Sequence, residues 1–276
     1  MQEAKVFTKN NIFQKFEVLK TNRNKRYRYH EFFVEGVRSL NEAVRNNWKI
    51  KSFVYDKNNL SDWAKDMINK VNTDMNYCLT PELMKELSGK EDTSELMAVI
   101  EMREDELEQV TLSEKPFIVL FDRPSNRGNL GTMIRSCDAL GVDMLIITGH
   151  AVDLYDTDVV VSAMGSFFKL PVIRISDNKA LFEYIDKLKK RYTDFTTIGT
   201  TAHNEDPVYS INLTSPLMMG NETMGLNKTL KEYCDLLCTI PMSENSYATS
   251  FNVSCAASIL MYEITRQRGI KIKGTL

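Results

Sequence analysis

Apolar residues follow two different periods in the middle of this chain. Ile118 to Phe121 and Leu145 to Ile147 are continuously apolar, the pattern of parallel strands covered on both faces. Between them, Leu130, Met133, Ile134, Cys137 and Leu140 recur at i, i+3, i+4, i+7 and i+10, the period of a helix with one buried stripe. Residues 117–148 therefore read as strand, turn, helix, strand, with Asn129 as the helix N-cap and Gly141 as its C′ glycine. Arg135 lies off the apolar stripe. Helical side chains lean toward the N-terminus, so its guanidinium is expected over Gly131 and Thr132, at the mouth of the helix and the carboxyl end of a buried strand. Anions and polar ligands collect at such places; an ordinary exposed arginine would show the same spacing.

The pattern extends in both directions. Short apolar runs at 32–34, 50–55, 77–79 and 96–100 alternate with helical stretches at 37–46, 61–71 and one opened by Thr80 and Pro81, which predicts a small α/β domain. Residues 103–115 are acidic, lack a hydrophobic period and read as a linker. Longer buried strands follow at 117–121, 144–148, 170–175, 195–200, 217–219 and 236–240, with helices at 179–190 and 253–268. The expected organisation is a first domain over 1–102, a linker over 103–115 and a second α/β domain with a parallel sheet over 116–276. Polar residues gather where its strands end: Asn126 and Asn129, Gly199-Thr200-Thr201, Gly220-Asn221-Glu222, and Ile240-Pro241-Met242. In a parallel sheet these ends share one edge, where ligands bind, although separate turns would look alike. The last helix carries small residues from Ser254 to Ser258 and an apolar face of Val253, Ala256, Ala257, Leu260, Met261 and Ile264, suited to core packing or to a subunit contact. Ser250 and Asn252 stand at its N-terminus.

Composition narrows the classes. The net charge of −2 over 276 residues gives no global sign of a polyanion binder, but residues 1–30 hold eight basic side chains against two acidic ones. Arg26-Tyr27-Arg28-Tyr29 interleaves cations with aromatics, which suits phosphate contact with base stacking; a solvated helix end is the alternative. The five cysteines show no CxxC spacing and the three histidines are isolated, so buried thiols and no metal are expected. No signal peptide and no long apolar span are evident, and the expected location is cytoplasmic, with no membrane contact. A phosphate-cradling GxxxxGK[ST] loop and a GxSxG nucleophile motif are absent, and Gly128-x-x-Gly131 is only part of a dinucleotide fingerprint, with Asn126 in place of its first glycine.

Three motifs in order carry a resemblance. Asn129-Leu130-Gly131-x-x-x-Arg135, Met219-Gly220-Asn221-Glu222-x-x-Gly225-Leu226, and Ile240-Pro241-Met242 followed by Ser250-Phe251-Asn252-Val253-Ser254 resemble those of the SpoU (TrmH) branch of the SPOUT superfamily. Its members are S-adenosylmethionine-dependent RNA ribose 2′-O-methyltransferases. Ser162-x-x-Gly165 through Leu170-Pro171-Val172 is also similar, and Phe33-Val34-Glu35-Gly36 resembles the substrate-binding domain that often precedes the catalytic one. The resemblance implies a carboxyl-terminal trefoil knot, S-adenosylmethionine held in it mainly by backbone groups, and a homodimer through the carboxyl-terminal domain.

Carried over by position, the resemblance implies that Thr200, Gly220, Ile240, Met242 and Phe251 line the cofactor pocket and that Arg135 acts on the ribose hydroxyl. Asn129, Glu222, Ser250 and Asn252 would hold the loops and the arginine. A guanidinium remains a cation across the physiological range, so Arg135 is expected to stabilise a forming alkoxide and clamp a phosphate. The implied substrate is RNA, rRNA ahead of tRNA, with Arg23, Lys25, Arg26 and Arg28 on phosphates and Tyr27 or Tyr29 stacked on a base. Two departures stand out: the stretch from Met242 to Ser250 is longer than usual, and Phe251 replaces a leucine. The rivals are a non-catalytic RNA-binding or ribosome-assembly factor of the same fold, and a nucleotide-binding oxidoreductase.

Overall fold

Capping residues divide the chain into short elements. Asn10, Ser61 and Thr80 each accept hydrogen bonds from the first turn of the helix they open, and Pro81 follows Thr80 at the first helical position. The computed structural model describes residues 2–201, 206–213, 217–220 and 225–269, in two units. The first comprises Met1–Glu104 and Asp153–Lys169. It runs β1 (Glu3–Val6), α1 (Asn11–Thr21), α2 (Arg23–Tyr29), β2 (Glu31–Glu35), α3 (Val37–Arg45), β3 (Ile50–Tyr55), α4 (Asp62–Lys70), β4 (Asn76–Leu79), α5 (Pro81–Ser88) and β5 (Leu96–Glu101). The sheet order is β1-β4-β3-β5-β2, and β5 runs against both of its neighbours. Phe13, Phe16 and Leu19 of α1 close over Phe33, Val54, Leu79 and Val99. Strand β1 escapes the hydrophobic pattern because it is a short edge strand with charges at Glu3 and Lys5.

Residues 153–169, expected from sequence in the second domain, group with this first unit. They form α7 (Thr157–Ser162) and a 3₁₀ turn at Ser166–Phe168. Tyr155, Phe167 and Phe168 pack on Phe32 with ring centroids 4.8, 5.7 and 6.4 Å apart, and the Trp48 indole N–H donates to the Phe168 carbonyl at 2.8 Å.

The second unit comprises Asp105–Val152 and Leu170–Leu276. It contains β6 (Ile118–Asp122), α6 (Arg127–Ala139), β7 (Met144–Thr148), β8 (Val172–Ile175), α8 (Asn178–Arg191), β9 (Ile198–Thr200), β10 (Leu217–Met219), α9 (Lys228–Tyr233), β11 (Leu236–Cys238) and α10 (Val253–Gln267). Its strands are parallel, in the order β11-β9-β10-β6-β7-β8. Residues 105–115 are no free connector here: Leu107, Val110 and Leu112 pack on the core of Ile118, Leu120, Met144 and Ile146, and Asp105 accepts the Arg174 backbone N–H at 3.0 Å and its Nε at 2.7 Å. The α6 N-cap is Asn126 rather than Asn129; its side chain accepts from the Asn129 N–H at 2.9 Å, so the polar residues 127–129 form a first turn that apolar spacing does not mark. Gly141, at φ +73°, ends the helix as expected.

Candidate active site

The carboxyl edge of the second sheet is organised by two helices. α6 and α10 lie side by side in parallel register, joined by four hydrogen bonds: Asn252 Nδ2 donates to Asn129 Oδ1 (3.1 Å), Ser254 Oγ donates to the Asn129 carbonyl (3.0 Å), the hydroxyls of Ser136 and Ser258 are 2.9 Å apart, and Thr265 Oγ1 donates to the Leu140 carbonyl (3.3 Å). The small residues of α10 permit this approach. Asn252 also caps α10 by accepting from the Ser254 and Cys255 N–H groups. Two helix N-termini, each the positive end of its dipole, thus stand together at the strand ends. Arg135 projects from α6 into solvent and makes no hydrogen bond or ion pair among the described residues.

Beside this pair the remaining strand ends converge. Cys238 is opposite Thr200, and the Thr201 N–H donates to the Cys238 carbonyl at 3.0 Å, so Ile240 and Met242 leave the sheet beside the end of β9. Both are half-buried. Gly220 is buried at the end of β10, where a Cβ would lie 2.0 Å from the Leu226 backbone nitrogen, so the chain can close here only at glycine. Ser250 and Phe251 are exposed, Phe251 at 42%. Glu222 lies outside the described residues. Burial pushes the Cys238 thiol up to about 11 and the Cys234 thiol up to about 12, so neither is a thiolate nucleophile at neutral pH.

Sequence reasoning missed Asp122. This residue ends β6 at 1% exposure; its Oδ1 accepts from Thr148 Oγ1 at 3.0 Å, and its Oδ2 accepts from the Asn227 N–H and Nδ2 at 3.1 and 3.2 Å and from Arg123 Nε at 3.0 Å. The available signal was a carboxylate closing a continuously apolar run.

In the first unit, α2 presents Arg23 and Arg28 to solvent and Lys25 in part. Arg26 does not join them. It is 1% exposed, with Nε donating to Asp153 Oδ2 at 2.7 Å and Nη2 to Asp156 Oδ2 at 3.3 Å, so its expected phosphate contact is overturned. Tyr27 and Tyr29 are partly exposed, with the Tyr27 hydroxyl donating to Asp153 Oδ1 at 3.1 Å and Lys15 over the Tyr29 ring at 5.0 Å. Among the described residues no cluster of His, Cys, Asp and Glu is arranged for a metal, and no helix is long and apolar enough to cross a membrane.

Comparison with known proteins matches residues 116–262 to the SpoU rRNA Methylase family and residues 10–98 to the SpoU L30e-like domain. The chain belongs to the SpoU family. A 23S rRNA (uridine(2479)-2′-O)-methyltransferase of Streptomyces viridochromogenes is 38% identical over 268 residues, 96% of this chain and 92% of that protein. A 23S rRNA (guanosine(2553)-2′-O)-methyltransferase of Bacillus subtilis is 29% identical over 88% of this chain and 91% of its own length. The crystal structure of the SpoU methyltransferase AviRb from Streptomyces viridochromogenes in complex with AdoMet superposes with a TM-score of 0.88 at 38% identity, covering 95% of this chain and 99% of that one. The SpoU match spans the edge built by α6, β10, β11 and α10, and the mixed sheet of the first unit overlaps the L30e-like match.

Proposed function

We propose that this protein is an S-adenosylmethionine-dependent rRNA ribose 2′-O-methyltransferase. The observation that carries the reading is the α6–α10 clasp: it fixes Asn129 and Asn252 together at the strand ends, and α6 exposes Arg135, whose side chain makes no bond among the described residues. Support comes from the names and the bound AdoMet of the Streptomyces relatives.

The residues fit the cofactor by their chemistry. Thr200, Gly220, Ile240, Met242 and Phe251 carry no charge and offer apolar surface beside backbone groups at strand ends, a suitable lining for an aromatic base and a sulfur that is already cationic. When bound, S-adenosylmethionine supplies a methyl group on that sulfur. Arg135 then orients the ribose by its phosphate and stabilises negative charge growing on the hydroxyl oxygen. Asn129 and Asn252 are assigned to holding the two helix starts together, and Ser250 and Glu222 to holding the loops; the expected hold of Asn129, Ser250 and Asn252 on Arg135 is not made among the described residues. Arg23, Lys25 and Arg28 are assigned to RNA phosphates, with Tyr29 available for stacking. The strand order β11-β9-β10-β6 brings the chain back past two strands before α10 packs on α6, which supports a trefoil-knotted segment. The exposed Phe251, Ile259 and Tyr262 support a homodimer through this unit.

The test is methyl transfer from labelled S-adenosylmethionine to a 23S rRNA transcript, followed by nucleoside analysis. The expected product is a 2′-O-methylated nucleotide. Arg135→Ala should lower turnover by about 10²-fold or more while changing the cofactor Kd by less than about tenfold. No cofactor binding, or a methyl group found on a base, would sink the reading.

A further inference from the structure

Gly220 follows β10 and packs against the Gly225–Leu226 backbone, and the chain from Gly225 to Asn227 is held by a polar latch outside the motifs. We infer that Asp122 and Arg123 are positioning residues for cofactor binding: together they seat the chain from Gly225 to Asn227 on the ends of β6 and β7. The inference rests on the proposed methyltransferase function, in which Gly220 lines the cofactor pocket.

Asp122 gathers donors from three places. Thr148 brings the end of β7, Arg123 the turn after β6, and Asn227 the start of α9, which its own side chain caps by accepting from the Leu230 N–H at 2.9 Å. Arg123 completes the latch from the other side. Its Nη2 lies 2.9 Å from Asp122 Oδ2 and donates to the Gly225 carbonyl at 3.2 Å, while its backbone N–H donates to the Thr148 carbonyl at 3.0 Å. The side chain of Arg123 runs over Gly149, where a Cβ would be 2.6 Å from its Cγ.

Two observations separate this cluster from an ordinary surface ion pair. Arg123 is held at φ +49°, a left-handed conformation that is strained for a non-glycine residue and persists only where the surroundings enforce it. The anchored backbone is also the one that packs under Gly220: a Cβ there would meet the Leu226 nitrogen at 2.0 Å and the Gly225 carbonyl carbon at 2.2 Å. If the Gly225–Leu226 peptide moves, the shape of the chain at Gly220 must change with it. The guanidinium holds the Gly225 carbonyl and the carboxylate holds the Asn227 N–H, so their effect on a ligand is transmitted through the backbone between them.

The experiment measures S-adenosylmethionine affinity by calorimetry, and kcat and KM by methyl transfer, on the full chain carrying Arg123→Ala, Arg123→Lys or Asp122→Asn. Arg123→Ala should weaken the cofactor by about tenfold or more, the scale on which outer-shell partners act, with kcat at saturating cofactor within about threefold of the parent. Arg123→Lys, which keeps the charge but lacks the fork that reaches both Asp122 and Gly225, should recover part of the loss. Arg123 is one-third exposed, so its variants test the latch even if Asp122→Asn fails to fold. Folded Arg123→Ala with a cofactor Kd within about twofold of the parent would overturn the inference. So would equal losses in the alanine and lysine variants accompanied by a matching fall in kcat, the mark of a general structural defect. A parent protein that binds no S-adenosylmethionine would instead overturn the functional reading.

Discussion

Arg26 carries a charge into the interior of the first unit and engages every branch of its guanidinium there. Besides the two carboxylates, Nη1 donates to the carbonyls of Leu19 and Lys20 at 2.9 and 2.8 Å, closing the C-terminal turn of α1. Such a group is expensive to bury and more expensive to break, because removing one partner strands the others without water. Arg26→Ala should therefore lower stability by about 3–5 kcal/mol in urea unfolding followed by tryptophan emission. Neutralising Arg23, Lys25 and Arg28 together should cost little stability. It should flatten the salt dependence of RNA binding by roughly 0.7 in log K per log salt for each phosphate that is no longer neutralised. Equal stability of Arg26→Ala and the parent would remove the triad as a determinant of the fold. The sequence could not separate Arg26 from its neighbours. All four lie in one basic, aromatic stretch, and the partner that buries Arg26 is 127 residues away.

At the scale of elements, α10 shows how a helix is held beyond its apolar stripe. Ala257, Leu260, Met261 and Ile264 are buried, while Glu263 accepts from Arg266 and from Gln267, whose amide also bonds the Ile211 carbonyl and the Leu213 N–H. Hydrogen bonding to the Arg266 guanidinium, then to Gln267, lowers the Glu263 carboxyl from 4.5 to about 2. A depressed acid stabilises the fold above its unfolded pKa and loses that contribution as pH falls through the folded value. The stability difference between the parent and Glu263→Gln should therefore be constant above pH 4.5 and close between 4.5 and 2. It should be modest, since Arg266 is exposed and the pair is screened. A gap that persists unchanged at pH 2 in denaturant titrations would show that the carboxylate charge is irrelevant. The strands and long helices of this unit were legible because burial imposes their periods. The start of α6, the edge strand β1 and the packed segment 105–115 were not, because caps, charged edges and irregular apolar residues leave no period to read.

The whole molecule is a chain that passes three times between its units, at 104–105, 152–153 and 169–170. A boundary near residue 102 was visible as an acidic stretch, but the return of residues 153–169 was not. Leu154, Tyr155, Phe167 and Phe168 are apolar in either unit, and local spacing cannot say which core will cover them. The structure assigns that cover to the first unit, through Phe32 and Trp48, with Asp153 and Asp156 meeting Arg26. A cut at 104 should thus fail for physical reasons on its amino-terminal side. The fragment 1–104 would expose one face of the Phe32–Trp48 cluster and leave a buried guanidinium without its carboxylates, a cost comparable to a large part of the stability of a domain this size. It should lack a cooperative unfolding transition. Joining 153–169 to it through a Gly/Ser linker of about eight residues, which spans roughly 16 Å on average, should restore one, read by circular dichroism and tryptophan emission against urea. Tyr155 already bonds the backbone of Arg103 through its hydroxyl at 3.2 and 3.3 Å, so the ends to be joined lie close. If the fragment 1–104 unfolds cooperatively at the same midpoint as the joined protein, the aromatic cluster and the Arg26 triad add nothing to the stability of this unit, and residues 153–169 merely rest on it.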